Sequence, residues 1–262
     1  MLTLILISLI SVVVVSIFGW LLSVLFNDAS IADVFWGIHF ITISLVLLVA
    51  QGYRNHAQLI DVSLVIIWGT RLAFHIGKRK IGKPEDWRYS KLRKDWGKWF
   101  LFRSLMQNFL FQAGLALIIS LSTIVIAHSA IKTSSSIYWW HILAIGLWIF
   151  GFLFEVVGDW QLSRFLKTRT NNETIMSKGL WRYTRHPNYF GEVTQWWALW
   201  LLCIGYPYSF IAIVSPLLIT YLILYVSGLP LLEKKYQDNH KYQEYALRTS
   251  SFVPMPSKKE KI

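Results

Sequence analysis

The stretch Gly179-Leu-Trp-Arg-Tyr-Thr-Arg-His-Pro-Asn-Tyr-Phe-Gly-Glu192 gathers Arg182, Tyr183, Arg185, His186, Asn188, Tyr189 and Glu192 in one short segment. Arginines offer forked donors that suit carboxylate and phosphate oxygens. Pro187 suits the first position of a helix, and a helix start turns unpaired N–H groups toward anions. The combination reads as an anion site beside a helix start. A basic loop resting on lipid headgroups would also carry arginines and interfacial aromatics. Such a loop has no need of Asn188, His186 and Glu192, and the variety of polar types favours a ligand.

Four further groups have chemistry to offer. Asp159 in Gly158-Asp-Trp-Gln-Leu-Ser-Arg164 can accept from a ribose hydroxyl or pair with Arg164 at a helix end. Lys83-Pro-Glu-Asp-Trp-Arg-Tyr89 can brace a lid, bind a cofactor or pair with itself as a solvated loop. In Asp33-Val-Phe-Trp-Gly37, Asp33 can cap a helix, since acids favour the first turn, or can face a substrate pocket as a proton donor. The amphipathic tail from Tyr242 to Pro254 can close a site or lie on a membrane. The chain has no Gly-x-Gly-x-x-Gly, phosphate-binding Gly-Lys-Ser/Thr loop or Gly-x-Ser-x-Gly elbow, so soluble dinucleotide and hydrolase folds lack support. No pair of histidines has ligand spacing with an acid nearby, and no metal is expected. Cys203, the only cysteine, excludes an intrachain disulfide and a cysteine zinc site. It reads as a small packed residue.

The elements that must position these groups are spanning helices. Of the 262 residues, 55% are hydrophobic and only 15% charged, with a mean hydropathy of +0.45. Soluble domains carry about 25% charged residues. A spanning helix needs about 20 apolar residues, and candidates fall at 2–26, 31–50, 59–77, 106–127, 139–157, 191–205 and 207–227. The first lacks a basic flank and is too long for a signal peptide. The sixth is short and ends at Gly205-Tyr-Pro207, a turn signal.

The net charge of +12 would suggest nucleic acid only if the basic residues formed a stripe on a soluble face. Instead, 23 of the 26 lie in segments 78–103, 158–190 and 233–262. The loops between carry only Arg54 and Lys132. Positive loops stay cytoplasmic, which predicts an all-α bundle of about seven transmembrane helices, N-terminus outside and C-terminus cytoplasmic. Asp33, Arg71, His75, Glu155, Asp159, Glu192, Gln195 and Glu233 then gather at the cytoplasmic ends. Intramembrane polar groups of this kind usually line a functional cavity. A single membrane domain is expected. Residues 1–105 form substrate-side helices and the basic loop, 106–256 form cofactor-side helices and the tail, and 257–262 are disordered.

Gly179–Glu192 with Trp196 and Trp197, Asp159 leaving a helix, and the Tyr-x-x-Tyr…Pro tail resemble the C-terminal half of steroid 5-alpha-reductases. Asp33–Gly37, Pro84–Tyr89 and Arg248-Thr-Ser-Ser-Phe-Val-Pro254 look closer to a bacterial branch of that membrane family. The resemblance implies NADPH contacts from Asp159, Asn188 and Glu192, with Arg164, Arg182, Tyr183, Arg185, His186, Tyr236 and Arg248 as neighbours. It also implies an acid and a tyrosine that polarise a substrate ketone. Asp33 fits the acid. Helix three, Arg71-Leu-Ala-Phe-His75, has no tyrosine to match, and Tyr89 in the following loop is the stand-in. Isoprenylcysteine carboxyl methyltransferases share Arg-His-Pro-x-Tyr and a glutamate near the tail, here Glu233, and bind S-adenosylmethionine.

The expected activity is therefore NADPH-dependent reduction of a carbon–carbon double bond conjugated to a ketone. The substrate would be a lipophilic small molecule, steroid- or isoprenoid-like, reached from the lipids of a bacterial inner membrane, with the site facing the cytoplasm. The alternatives are a methyltransferase using S-adenosylmethionine and a non-catalytic lipid-binding membrane protein.

Overall fold

The computed structural model describes residues 1–53, 55–129, 136–169, 171 and 174–257. Arg54, Lys132 and the expected disordered tail beyond Ser257 lie outside these residues. Among the described residues all regular structure is helical apart from one isolated bridge, Thr184 with Ser250. Six helical runs are long and apolar enough to cross a membrane: Leu2–Leu25, Ile31–Gln51, His56–Lys80, Trp87–Ile119, Trp139–Thr168 and Ser209–Lys234. The chain separates into two units, one of Met1–Tyr138 with Leu202–Ser215 and one of Trp139–Leu201 with Pro216–Ile262.

In the first unit, α1 (Leu2–Leu25) shows the inversion a bilayer demands. It buries Ser8, Ser16, Gly19 and Ser23 and turns Leu2, Ile10, Val14, Phe18, Leu21 and Leu25 outward. Small residues let membrane helices approach where lipid gives no hydrophobic drive. α2 (Ile31–Gln51) and α3 (His56–Lys80) meet through Gly37 and Gly69. A Cβ on Gly37 would lie 2.6 Å from the Gly69 carbonyl oxygen. Asn55 caps α3 by accepting from the Gln58 N–H at 2.9 Å.

The basic loop expected after α3 is in large part helical. α4 (Trp87–Trp96), capped by Asp86, leads through a tight turn at Gly97–Trp99 to α5 (Phe100–Arg103). A π-helical stretch, Ser104–Leu110, follows, then α6 (Phe111–Ile119) and α7 (Leu121–Ser129). The extra residue per turn buries Ser104 and Asn108, and such stretches recur at functional sites. Leu202–Ser215, which includes α10 (Ser209–Ala212), completes this unit.

The second unit is built on α8 (Trp139–Thr168) and α9 (Pro187–Leu201). At about 1.5 Å per residue α8 runs roughly 45 Å, well beyond a hydrocarbon core of about 30 Å. Gly151 packs against Gly191, where a Cβ would come within 2.7 Å of the partner carbonyl. α9, expected as the sixth span over 191–205, is about 22 Å long and is not among the six spanning runs. α11 (Val214–Tyr221) passes through a second π stretch, Leu222–Val226, to α12 (Leu229–Tyr236) and α13 (His240–Arg248).

Candidate functional site

In the first unit the loop tyrosine and the helix-two acid come together. The Tyr89 hydroxyl donates to Asp33 Oδ1 at 2.6 Å, and Arg88 Nη2 donates to Oδ2 at 2.7 Å. Tyr89 is buried among Ala29, Ala32, Phe100 and Phe109. α4 brings Arg88 and Tyr89 to α2 because a charged clamp fixes the segment before it. Glu85 accepts from Arg93 through both oxygens, at 2.8 and 3.1 Å, and from the Ala29 N–H at 2.8 Å. Asp28 pairs with Lys80 at 2.6 Å, and Asp86 with Arg88 at 2.9 Å. Burial opposes charge on Asp28, Glu85 and Asp86, yet the bonds from Lys80, Arg93 and Arg88 outweigh it. All three carboxyls lie below their ordinary values.

In the second unit the Arg-His-Pro-Asn segment is tied to the tail. Arg185 donates to Glu233 Oε1 through Nε at 3.1 Å and Nη2 at 2.6 Å, and through Nη1 to the carbonyls of Ala246 and Thr249. The Arg185 N–H reaches the Ser250 carbonyl at 2.8 Å, Met255 donates to the Tyr183 carbonyl at 2.9 Å, and the Tyr245 hydroxyl bonds the Trp181 carbonyl. Arg185 is thus a brace, and the pair of arginines expected to share an anion is divided: Arg182 faces elsewhere.

Along α8 and α9 polar side chains pair across the helix contact. Asn188 Nδ2 donates to Asp159 Oδ1 at 3.1 Å, and Gln195 Nε2 to Glu155 Oε2 at 2.7 Å. Asn188 Oδ1 is buried without a hydrogen-bond partner among the described residues. An acceptor left so is costly unless a ligand donates to it. His186, 3% exposed, stacks on Tyr189, sets Nε2 3.5 Å from Glu233 and leaves Nδ1 unpartnered.

Two cavities open in this unit. The smaller, about 100 Å³, is walled by Phe165, Trp181, Arg185, His186, Tyr236 and Tyr242, with Tyr236 stacked on Tyr242 at 5.4 Å. Burial, with Glu233 beside it, pushes the Tyr242 hydroxyl up to about 12, so it remains a donor at neutral pH. The larger, about 550 Å³, carries Arg182, Lys241 and Arg248 on its wall. Thr174, Ile175 and Tyr245 line both. Of the expected cofactor residues, Arg182, Arg185, His186, Tyr236 and Arg248 reach a cavity. Asp159, Asn188 and Glu192 stand on the α8–α9 contact. Arg164 stacks over Trp160 at 5.7 Å, and Tyr183 is 44% exposed; neither lines these two cavities. Lys241 and Ser177 stand in no motif that marks a site, and Thr249 lies in the Arg248–Pro254 stretch without a type that singles it out.

Residues 19–249 match the model of a family described as a protein of unknown function, DUF1295. The chain belongs to the DUF1295 family. No curated protein and no solved structure matches it. For a DUF1295 chain the family description carries no activity, so the chemistry rests on the two clusters. One is a phenol held on a carboxylate. The other is a tail-braced pair of cavities beside an unpartnered carboxamide oxygen.

Proposed function

We propose that this DUF1295 protein is a steroid 5-alpha-reductase-like membrane oxidoreductase. It reduces a carbon–carbon double bond conjugated to a ketone in a lipophilic substrate, with NADPH as cofactor. The observation that carries the proposal is the Tyr89–Asp33–Arg88 cluster. Adding hydride to such a substrate builds negative charge on the ketone oxygen, and a placed O–H donor is what stabilises it. Transfer of a methyl group creates no such demand.

NADPH, when bound, supplies the hydride. The residues of the second unit fit it: Asn188 Oδ1 has an empty acceptor for an amide or hydroxyl donor, Asp159 accepts, and the aromatic wall of the smaller cavity offers ring faces. In the first unit, Tyr89 turns its one phenolic hydrogen from Asp33 to the ketone oxygen as charge develops there. Asp33, held by Arg88, accepts from the phenol and so orients it. The proton source is therefore Tyr89, with Asp33 as its orienting partner.

The same proposal places the protein in a bacterial inner membrane with the N-terminus outside and the C-terminus cytoplasmic. The clustering of Lys and Arg in 78–103, 158–190 and 233–262 supports that orientation, with the α9 segment making a short seventh crossing. The test is NADPH oxidation by the purified protein against a panel of lipophilic enones, in wild type and Tyr89→Phe. Enone-dependent oxidation lost in the variant supports the reading; NADPH bound with no enone turnover in wild type contradicts it.

A further inference from the structure

We infer that Asp61, buried where α3 meets α7, binds one small monovalent cation, a proton or a sodium ion. Asp61 is 1% exposed and lies on α3 five residues past His56, about 8 Å along the axis. The Thr123 hydroxyl of α7 stands 3.4 Å from its Oδ1. Its Oδ2 is buried with no hydrogen-bond partner among the described residues. The titratable group that faces the carboxyl is the Cys203 thiol, which donates to the Ser122 carbonyl at 3.3 Å. The Ser122 hydroxyl donates to the Ala212 carbonyl at 3.5 Å. Both neighbouring donors therefore turn to backbone oxygens. Among the described residues no charged group of α2, α3 or α7 pairs with Asp61.

The other acids of this unit show what is missing. Asp28 has Lys80, Glu85 has Arg93, Asp86 has Arg88, and Asp33 has both Arg88 and the Tyr89 hydroxyl. The basic residues of α3 begin at Lys78, about 26 Å along the helix from Asp61. A carboxylate packed among apolar helices without a counter-charge is costly, and such groups are neutralised or paired. Acids inside membrane bundles mark proton and ion sites for this reason. A bound proton cancels the charge of Asp61 directly. A sodium ion cancels it too and, as a hard cation, takes oxygen ligands; the carboxylate and the Thr123 hydroxyl supply them. Among the described residues no trio of His, Cys, Asp and Glu stands close enough to share an ion, and one carboxylate matches one positive charge. The Asp33–Tyr89 cluster lies toward the other end of α3, so a cation at Asp61 is independent of the reductase reading.

The full chain in phosphatidylcholine nanodiscs is treated with dicyclohexylcarbodiimide, which adds across the O–H of a protonated buried carboxyl, and the adduct is located by peptide mass. Choline chloride and sodium chloride are compared over a pH series. In choline, Asp61 is expected to be labelled at neutral pH, with the rate falling about tenfold per pH unit once the proton leaves. Slower labelling in sodium at the same pH makes sodium a competing occupant; equal rates in the two salts leave the proton as the occupant. Infrared difference spectra of wild type against Asp61→Asn read the same group without a reagent. The C=O band of a protonated carboxyl should be present in wild type at neutral pH in choline and missing from the variant, and this band decides where the carbodiimide does not reach. Absence of both adduct and band in wild type under those conditions overturns the inference. A band that emerges only in Arg54→Gln or Lys132→Gln overturns it as well, because a side chain of this protein then supplies the charge.

Discussion

Asp33 receives a hydrogen bond from Tyr89 at 2.6 Å and another from Arg88 at 2.7 Å, and this divides the labour within the cluster. Tyr89→Phe keeps the ring that fills the Ala29–Phe109 pocket and removes only the donor. It should lower enone turnover by about 10²- to 10⁴-fold with NADPH binding unchanged, measured as kcat beside a calorimetric Kd. Asp33→Asn keeps a hydrogen-bond acceptor but strands Arg88, and should lower turnover and stability together. Two of these residues could be named from sequence, because acids number only 14 in the chain and the Pro-Glu-Asp-Trp-Arg-Tyr segment carries part of the family resemblance. Their meeting could not be read, since it depends on the Glu85 and Asp28 clamp that folds a loop onto α2. Arg182 and Arg185 show the same limit in reverse. In sequence they are equivalent; only the tail carbonyls of Ala246 and Thr249, sixty residues away, tell the brace from the cavity wall.

At the scale of elements, helices were legible by length and hydropathy, and 2–26, 31–50 and 139–157 sit on α1, α2 and α8 within their observed bounds or a residue or two of them. The stretch 78–103 was read as a basic loop because its charges mask the helical α4 and α5. The π stretches at Ser104–Leu110 and Leu222–Val226 leave no periodicity that a sequence betrays. The glycine contacts carry a stability prediction. Gly191→Leu forces α9 off α8 at the Gly151 carbonyl and should destabilise the protein by more than about 1–3 kcal/mol, the usual cost of overpacking, seen as a lower melting temperature. The clamp carries a pH prediction. Its carboxyls are depressed in the folded state, so their stabilisation is complete above their ordinary values near about 4 and is lost as pH falls through the lower folded values. Hydrogen exchange at residues 27–33 and 81–96 should therefore rise below about pH 4, and Glu85→Gln should show that faster exchange already at neutral pH.

For the whole molecule, composition alone demanded a membrane. The outward apolar and inward small faces of α1 give the same answer in structural terms. The number of crossings turns on α9, whose fifteen residues fall short of a full span by length. Reporter fusions decide it. A C-terminal fluorescent-protein fusion should be bright, and an N-terminal tag should be reached by protease from the periplasmic face. The same side for both ends would reduce the crossings to six. The central claim, a reductase that uses NADPH, is tested most directly by thermal stabilisation of the purified full chain with NADPH and with S-adenosylmethionine. A site-specific ligand stabilises by about 2.7 kcal/mol at a hundredfold excess over Kd. NADPH should raise the melting temperature of wild type, S-adenosylmethionine should not, and Asn188→Ala should lose most of the NADPH effect. Stabilisation by S-adenosylmethionine with none from NADPH would contradict the account and assign the chain to methyl transfer.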